Sequence, residues 1–116
     1  MPGKTHATLL LRCLENTTAI YITTNCYLSS GYGGYGRVDV RLDDTPAFHS
    51  DMDASTDNKA LGLWRGNRSI PFIKRMLGKD RMIVRFTPFN ESPVTAKFDI
   101  AGLEEAIKPL RESCGW

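Results

Sequence analysis

At 116 residues the chain is long enough for one domain with its own core, and 41% hydrophobic against 24% charged side chains is a globular balance that argues against a disordered or fibrous chain. No stretch reaches the roughly 20 apolar residues of a membrane helix, and Thr8–Leu11, ended by Arg12, is too short for the apolar core of an export signal. The net charge of +2 divides unevenly, with 4 basic and 7 acidic side chains over residues 1–58 and 11 and 6 over residues 59–116, and this excess is too weak and too poor in interleaved aromatics for a nucleic-acid surface.

Residues 1–6 are expected to form a mobile terminus to a single domain spanning 1–116. From Ala19 to Leu28 the chain alternates: Ile20, Ile22, Thr24, Cys26 and Leu28 share one face, and Tyr21, Thr23, Asn25 and Tyr27 the other. Arg37–Leu42 repeats the pattern, with Val38, Val40 and Leu42 inward. Phe48, Ser50 and Met52 alternate with His49, Asp51 and Asp53; Met82, Val84 and Phe86 continue it, as do Val94, Ala96, Phe98 and Ile100 against Thr95, Lys97 and Asp99. Such period-2 runs are half-buried strands of an antiparallel sheet. Residues 88–93, bounded by two prolines, read as a hairpin loop.

Two helices interrupt the strands. The first is expected to be capped by Ser69, with Pro71 in its first turn, Ile70, Ile73 and Leu77 on its apolar face, and Gly78 as its stop. The second begins near Gly102 and aligns Leu103, Ile107, Leu110 and Cys114 on one face, with a kink or break expected at Pro109. The expected fold is therefore mainly β, an antiparallel β-sandwich or partly open barrel with one short inserted helix and a C-terminal helix.

Gly31-Tyr32-Gly33-Gly34-Tyr35-Gly36 matches the spacing of a dinucleotide loop, but it leads into a strand, and a phosphate cradle needs a helix N-terminus there. It reads as a glycine connector. Tyr32 and Tyr35 offer either a contact patch or two rings resting on the sheet. Asp51–Asp57 spaces its oxygens like the start of a calcium loop, yet Thr56 occupies the required glycine position and Gly62 the acidic twelfth, so a solvated acidic face is expected. No metal site and no cofactor is expected. His6 and His49 are far apart in sequence, and neither a nucleophile elbow nor a zinc-binding helix motif is present. Asn16, Asn67 and Asn90 each open an N-x-S/T triplet and read as turn residues. Trp64 and Arg65 are either a binding anchor or, as expected, a strand end covering the core with Arg65 at its rim. The candidate binding residues are Tyr32, Tyr35, Trp64 and Arg65. Cys13, Cys26 and Cys114 contain no C-x-x-C pair, and their spacing leaves the connectivity open.

Several words of the sequence are more specific than these patterns: Leu11-Arg12-Cys13, Glu15-Asn16-Thr17-Thr18, Ser55-Thr56-Asp57-Asn58, Ala60-Leu61-Gly62-Leu63-Trp64, Ile70-Pro71-Phe72-Ile73-Lys74, Arg85-Phe86-Thr87-Pro88, Glu91-Ser92-Pro93-Val94 and Cys114-Gly115-Trp116. Together they resemble the VasI/TagO family of accessory proteins of bacterial type VI secretion systems. The resemblance implies a non-enzymatic accessory or interaction protein in the periplasm or cell envelope, with a protein partner in the secretion apparatus; the family usually carries an export signal, so either that signal has been cut from this sequence or the compartment differs. No nucleic-acid partner and no membrane span in this chain are expected, on the charge distribution and run lengths given above. The alternative is a ligand-binding sandwich that recognises a small molecule or an envelope polymer; an enzyme ranks third. The resemblance also favours a Cys13–Cys114 disulfide with Cys26 as the odd thiol, because both cysteines lie in family-like words; Cys13–Cys26 remains the competing pair.

Overall fold

The alternating segments become strands in the computed structural model, which describes residues 6–116. The elements in chain order are β1 (Ala7–Leu14), β2 (Thr17–Thr24), β3 (Arg37–Leu42), β4 (Phe48–Asp51), β5 (Asp53–Ala54), β6 (Ala60–Leu63), α1 (Gly66–Met76), β7 (Arg81–Phe86), β8 (Val94–Asp99), α2 (Leu103–Ala106) and α3 (Lys108–Cys114). They form two four-stranded sheets, ordered β1-β2-β6-β5 and β4-β3-β7-β8. Every pairing is antiparallel. Neither sheet closes into a barrel.

The inward faces meet in one apolar cluster. Ile20, Ile22, Leu61 and Leu63 come from the first sheet, and Val38, Val40, Leu42, Met82, Val84 and Phe86 from the second. These are the apolar phases of the alternation, buried because a strand turns successive side chains to opposite faces. The expected mainly β, sandwich-like fold is what the chain adopts. Residues 1–5, most of the expected mobile terminus, lie outside the described residues; the His6 amide donates to Asn25 Oδ1 at 3.1 Å.

Three local expectations change. β2 ends at Thr24, and Cys26 and Leu28 reach the core from the following loop rather than from a strand. Asp51 and Asp53 do not share one strand face. The chain crosses between sheets at buried Met52, so the first ends β4 and the second begins β5. Asn16 and Asn90 do occupy left-handed turn positions at φ 59 and 55, but Asn67 lies in α1.

The inserted helix also differs. It starts at Gly66, with Arg65 as its N-cap residue, so Pro71 stands inside it rather than in its first turn. Ser69 is not a cap. Its hydroxyl is buried and donates to the Thr18 carbonyl at 2.7 Å, fastening α1 to β2. The buried face is Ser69, Phe72, Ile73 and Met76, a spacing of i, i+3, i+4, i+7; Ile70 and Leu77 are only half-buried. Phe72 meets Phe48 of β4 edge to face at 6.1 Å, so α1 plugs the sandwich between its sheets.

At the other end Pro109 divides the last helix as expected. Ile107 leaves helical geometry at φ −93, ψ 4, separating α2 from α3. Cys114 of α3 is joined to Cys13 of β1 by a disulfide, and Cys26 is a free, buried thiol. Gly115 adopts the left-handed cap at φ 73, which turns Trp116 back over the sandwich. The Trp116 indole N–H donates to Thr18 Oγ1 at 2.8 Å, and the Arg111 guanidinium lies 4.7 Å from its ring centre. The closing Cys-Gly-Trp word is thus a covalent tie, a turn and an aromatic latch.

Candidate functional site

The two outer sheet faces differ in chemistry. That of the second sheet is mostly charged, with Arg37, Asp39 and Arg41 on β3, Arg85 on β7 and Lys97 on β8. That of the first carries rings and small residues. Register places Leu10 against Tyr21, and Tyr21 against Gly62. A Cβ on Gly62 would stand 2.5 Å from Tyr21 Cβ and 2.6 Å from the Ile20 carbonyl oxygen, so only glycine allows this approach. Leu61 and Leu63 face the core, so Trp64, one step further, turns to the outer side.

Trp64 therefore does not cover the core, as its strand-end position suggested. It stacks on Tyr21 at 4.9 Å between ring centres and 26° between planes, and its indole N–H donates to the Asp53 carbonyl at 2.8 Å. The Arg12 guanidinium reaches across from β1, 5.4 Å from the Tyr21 ring centre and 5.6 Å from that of Trp64. Cations favour such positions over aromatic faces. These three side chains form one wall of an open groove of about 680 Å³. Thr23 and Ala60 also line it, and the turn from Ser55 to Lys59 supplies the opposite wall.

That turn is the Ser-Thr-Asp-Asn word. Asp57 Oδ1 accepts from Ser55 Oγ at 2.6 Å and from the Lys59 amide at 3.1 Å, and Ser55 Oγ accepts from the Ala60 amide at 3.0 Å. Asn58, at φ 59, donates its side-chain amide to the Leu28 carbonyl. The Ser55 hydroxyl, followed by the Lys59 backbone N–H, holds the Asp57 carboxyl below the usual carboxylate range. A depressed folded-state pKa contributes stability that is present above the ordinary carboxyl pKa and lost as pH falls through the folded value. Replacing Ser55 with Ala is expected to raise the Asp57 pKa toward its ordinary value, measured by carboxyl carbon NMR titration; an unchanged titration midpoint would refute the role given to this hydroxyl.

A second aromatic group sits on the loops. Tyr32 and Tyr35 contact edge to face at 5.8 Å, Tyr35 lies 5.5 Å from Phe89, and Phe89 lies 5.9 Å from Tyr27. Tyr27 and Tyr32 are 58% and 61% exposed. The Phe89 amide donates to the Tyr27 carbonyl at 2.9 Å, which binds the 87–93 loop to the segment after β2. Gly31, Gly33 and Gly34 have φ of 85, 64 and 75, and the segment leads into β3, so it is a turn and no helix dipole faces it.

The four sequence candidates thus divide. Tyr32 and Tyr35 belong to the loop cluster, Trp64 to the groove wall, and Arg65 to the start of α1, where its carbonyl accepts from the Arg68 and Ser69 amides. Sequence reading did not select Arg12, Tyr21, Tyr27 or Phe89. Tyr21 and Tyr27 stood on the polar phase of an alternating run, a detectable signal; Arg12 could be found only from strand register. His49 pairs with Asp39 across β3 and β4, in the sheet that does not bear the groove.

The family model described as "Type VI secretion system VasI, EvfG, VC_A0118" matches residues 2–116. No curated protein and no solved structure matches the chain.

Proposed function

This chain belongs to the VasI family of type VI secretion system proteins, and on that premise we propose that it is a non-enzymatic accessory of the apparatus, working in the periplasm or cell envelope by binding a protein component. The observation that carries this reading is the cluster of Tyr27, Tyr32, Tyr35 and Phe89. Tyr27 and Tyr32 are exposed and rest on half-buried Tyr35 and Phe89, and such rings on loops held by a rigid sandwich suit an interface, because tyrosine gives large contact area at small entropic cost. The Cys13–Cys114 bridge supports an oxidising compartment.

The test is site-specific photocrosslinking in cells that assemble the apparatus. A benzophenone side chain at Tyr32 is expected to capture a component of the apparatus, while the same probe at Arg41, on the outer face of β3, captures none or far less. Equal capture at both positions, or capture of unrelated proteins only, would remove the loop cluster as the interface. The groove favours a second reading, recognition of a small molecule or an envelope polymer, because an aromatic wall, hydroxyls and a cation converge on one concavity.

A further inference from the structure

We propose that the groove on the first sheet takes the ring of an acidic sugar, its apolar face on the Tyr21–Trp64 pair and its carboxylate on Arg12. This names the ligand class of the second reading above and rests on it.

The platform is set before any ligand arrives. The Trp64 ring is fixed by its bond to the Asp53 carbonyl and by the Tyr21 stack, so little side-chain freedom is left to lose. Arg12 lies over both rings and, among the described residues, forms no salt bridge. A guanidinium has five N–H donors in a planar fork that matches a carboxylate with two parallel bonds.

Position in the fold separates a sugar from a peptide. The groove lies over a sheet face, with Arg12 and Ala54 contributed by the edge strands β1 and β5, and its ring-bearing β2 is paired on both sides, so the amides beneath the rings are committed within the sheet. A peptide that binds by strand addition needs unpaired amides at a sheet edge. Here mainly side chains are presented: two rings, the guanidinium, the hydroxyls of Thr23 and Thr56, and the Lys59 ammonium. Rings pack on the C–H face of a pyranose, and hydroxyls and ammonium serve its hydroxyls. The Asp57 carboxylate stands on the opposite wall, in the turn that precedes β6, whereas Trp64 follows the far end of that strand. Lys59 offsets Asp57 in that turn, whereas Arg12 forms no salt bridge among the described residues, so the ligand's carboxylate is assigned to Arg12.

The chain contains its own control. Its two tryptophan indoles are resolvable by proton–nitrogen NMR: Trp64 is in the groove, whereas Trp116 is bonded to Thr18 near the disulfide. Titration of the oxidised protein with sodium glucuronate is expected to shift the Trp64 indole saturably and leave that of Trp116 in place. Glucose should bind at least about tenfold more weakly, since a hydrogen bond to a charged partner carries that much. Arg12→Gln, a change at an exposed position, should weaken glucuronate about tenfold and leave glucose unaffected, with Trp116 unshifted as evidence of an intact fold. Equal affinity for glucose and glucuronate, or an indifferent Arg12→Gln, would overturn the acidic-sugar assignment while leaving a ligand groove. Tighter binding of trialanine through Trp64 would replace the sugar by a peptide. A Trp64 indole that none of the three compounds shifts would end the ligand reading along with the proposal.

Discussion

Opening the Cys13–Cys114 bridge is expected to destabilise the fold by about 2–5 kcal/mol. The two cysteines are 101 residues apart in sequence, so the bridge closes nearly the whole chain into a loop. In the chain-entropy account, a loop of that length removes about 4–5 kcal/mol of freedom from the unfolded state. The native side has little to replace it. α3 has seven residues, Pro109 near its start, and no fully buried side chain, so without the bridge it is held mainly by the Trp116 latch and the contacts of its half-buried residues. A Cys13→Ser, Cys114→Ser double variant should melt roughly 10–20 °C below the oxidised protein. Cys26→Ala, which trims a buried thiol and opens no loop, should cost less. A double variant within about 1 kcal/mol of the oxidised protein would show that the latch alone secures α3. Peptide mapping without reductant provides a separate check, since a Cys13–Cys26 peptide would contradict the bridge outright.

Truncation of Ile73 to Ala is expected to cost about 2–5 kcal/mol, and truncation of Ile70, three positions earlier, about 1 kcal/mol or less. Ile73 is wholly buried, beside Phe72 and Met76 on the face of α1 that enters the core, and its removal leaves a cavity within that apolar cluster. Ile70 is half-buried, with its Cδ1 close to Gly66 at the start of the same helix, so its methyl groups lose less when cut away. Urea unfolding of the two variants gives the ranking directly. The reverse order would mean that α1 is rotated about its axis relative to the orientation described here.

These two helix positions also show where sequence reading stops. Helical spacing placed Ile70, Ile73 and Leu77 on one apolar stripe; Ile73 is in the core and Leu77 packs against it, whereas Ile70 is half-buried outside that cluster. The choice of Ser69, Phe72, Ile73 and Met76 as the buried face depends on how α1 is turned against the sheets. That orientation is held by tertiary contact: the Ser69 hydroxyl donates to the Thr18 carbonyl, 51 residues away. Trp64 failed for a related reason. A large aromatic after an apolar run reads as core, and only the alternation counted through Leu63 turns it outward.

The sequence by itself determined what depends on neighbours along the chain. Period-2 alternation marked the faces of β3, β7 and β8, Pro109 marked the break between α2 and α3, the glycine segment led into a strand, and the family-like words identified the secretion-system family. Each is legible because the responsible forces act over a few residues: side-chain direction, a missing amide N–H, a backbone free to take positive φ. The tertiary structure alone decided what depends on strand register. It settled Cys114 over Cys26 as the partner of Cys13, the pair the resemblance favoured and spacing had left open, and it brought Arg12, Tyr21 and Trp64 from three parts of the chain onto one wall. Register is a sum over whole paired strands, since slipping one strand by a single residue sends its side chains to the opposite face, and no local word records that sum.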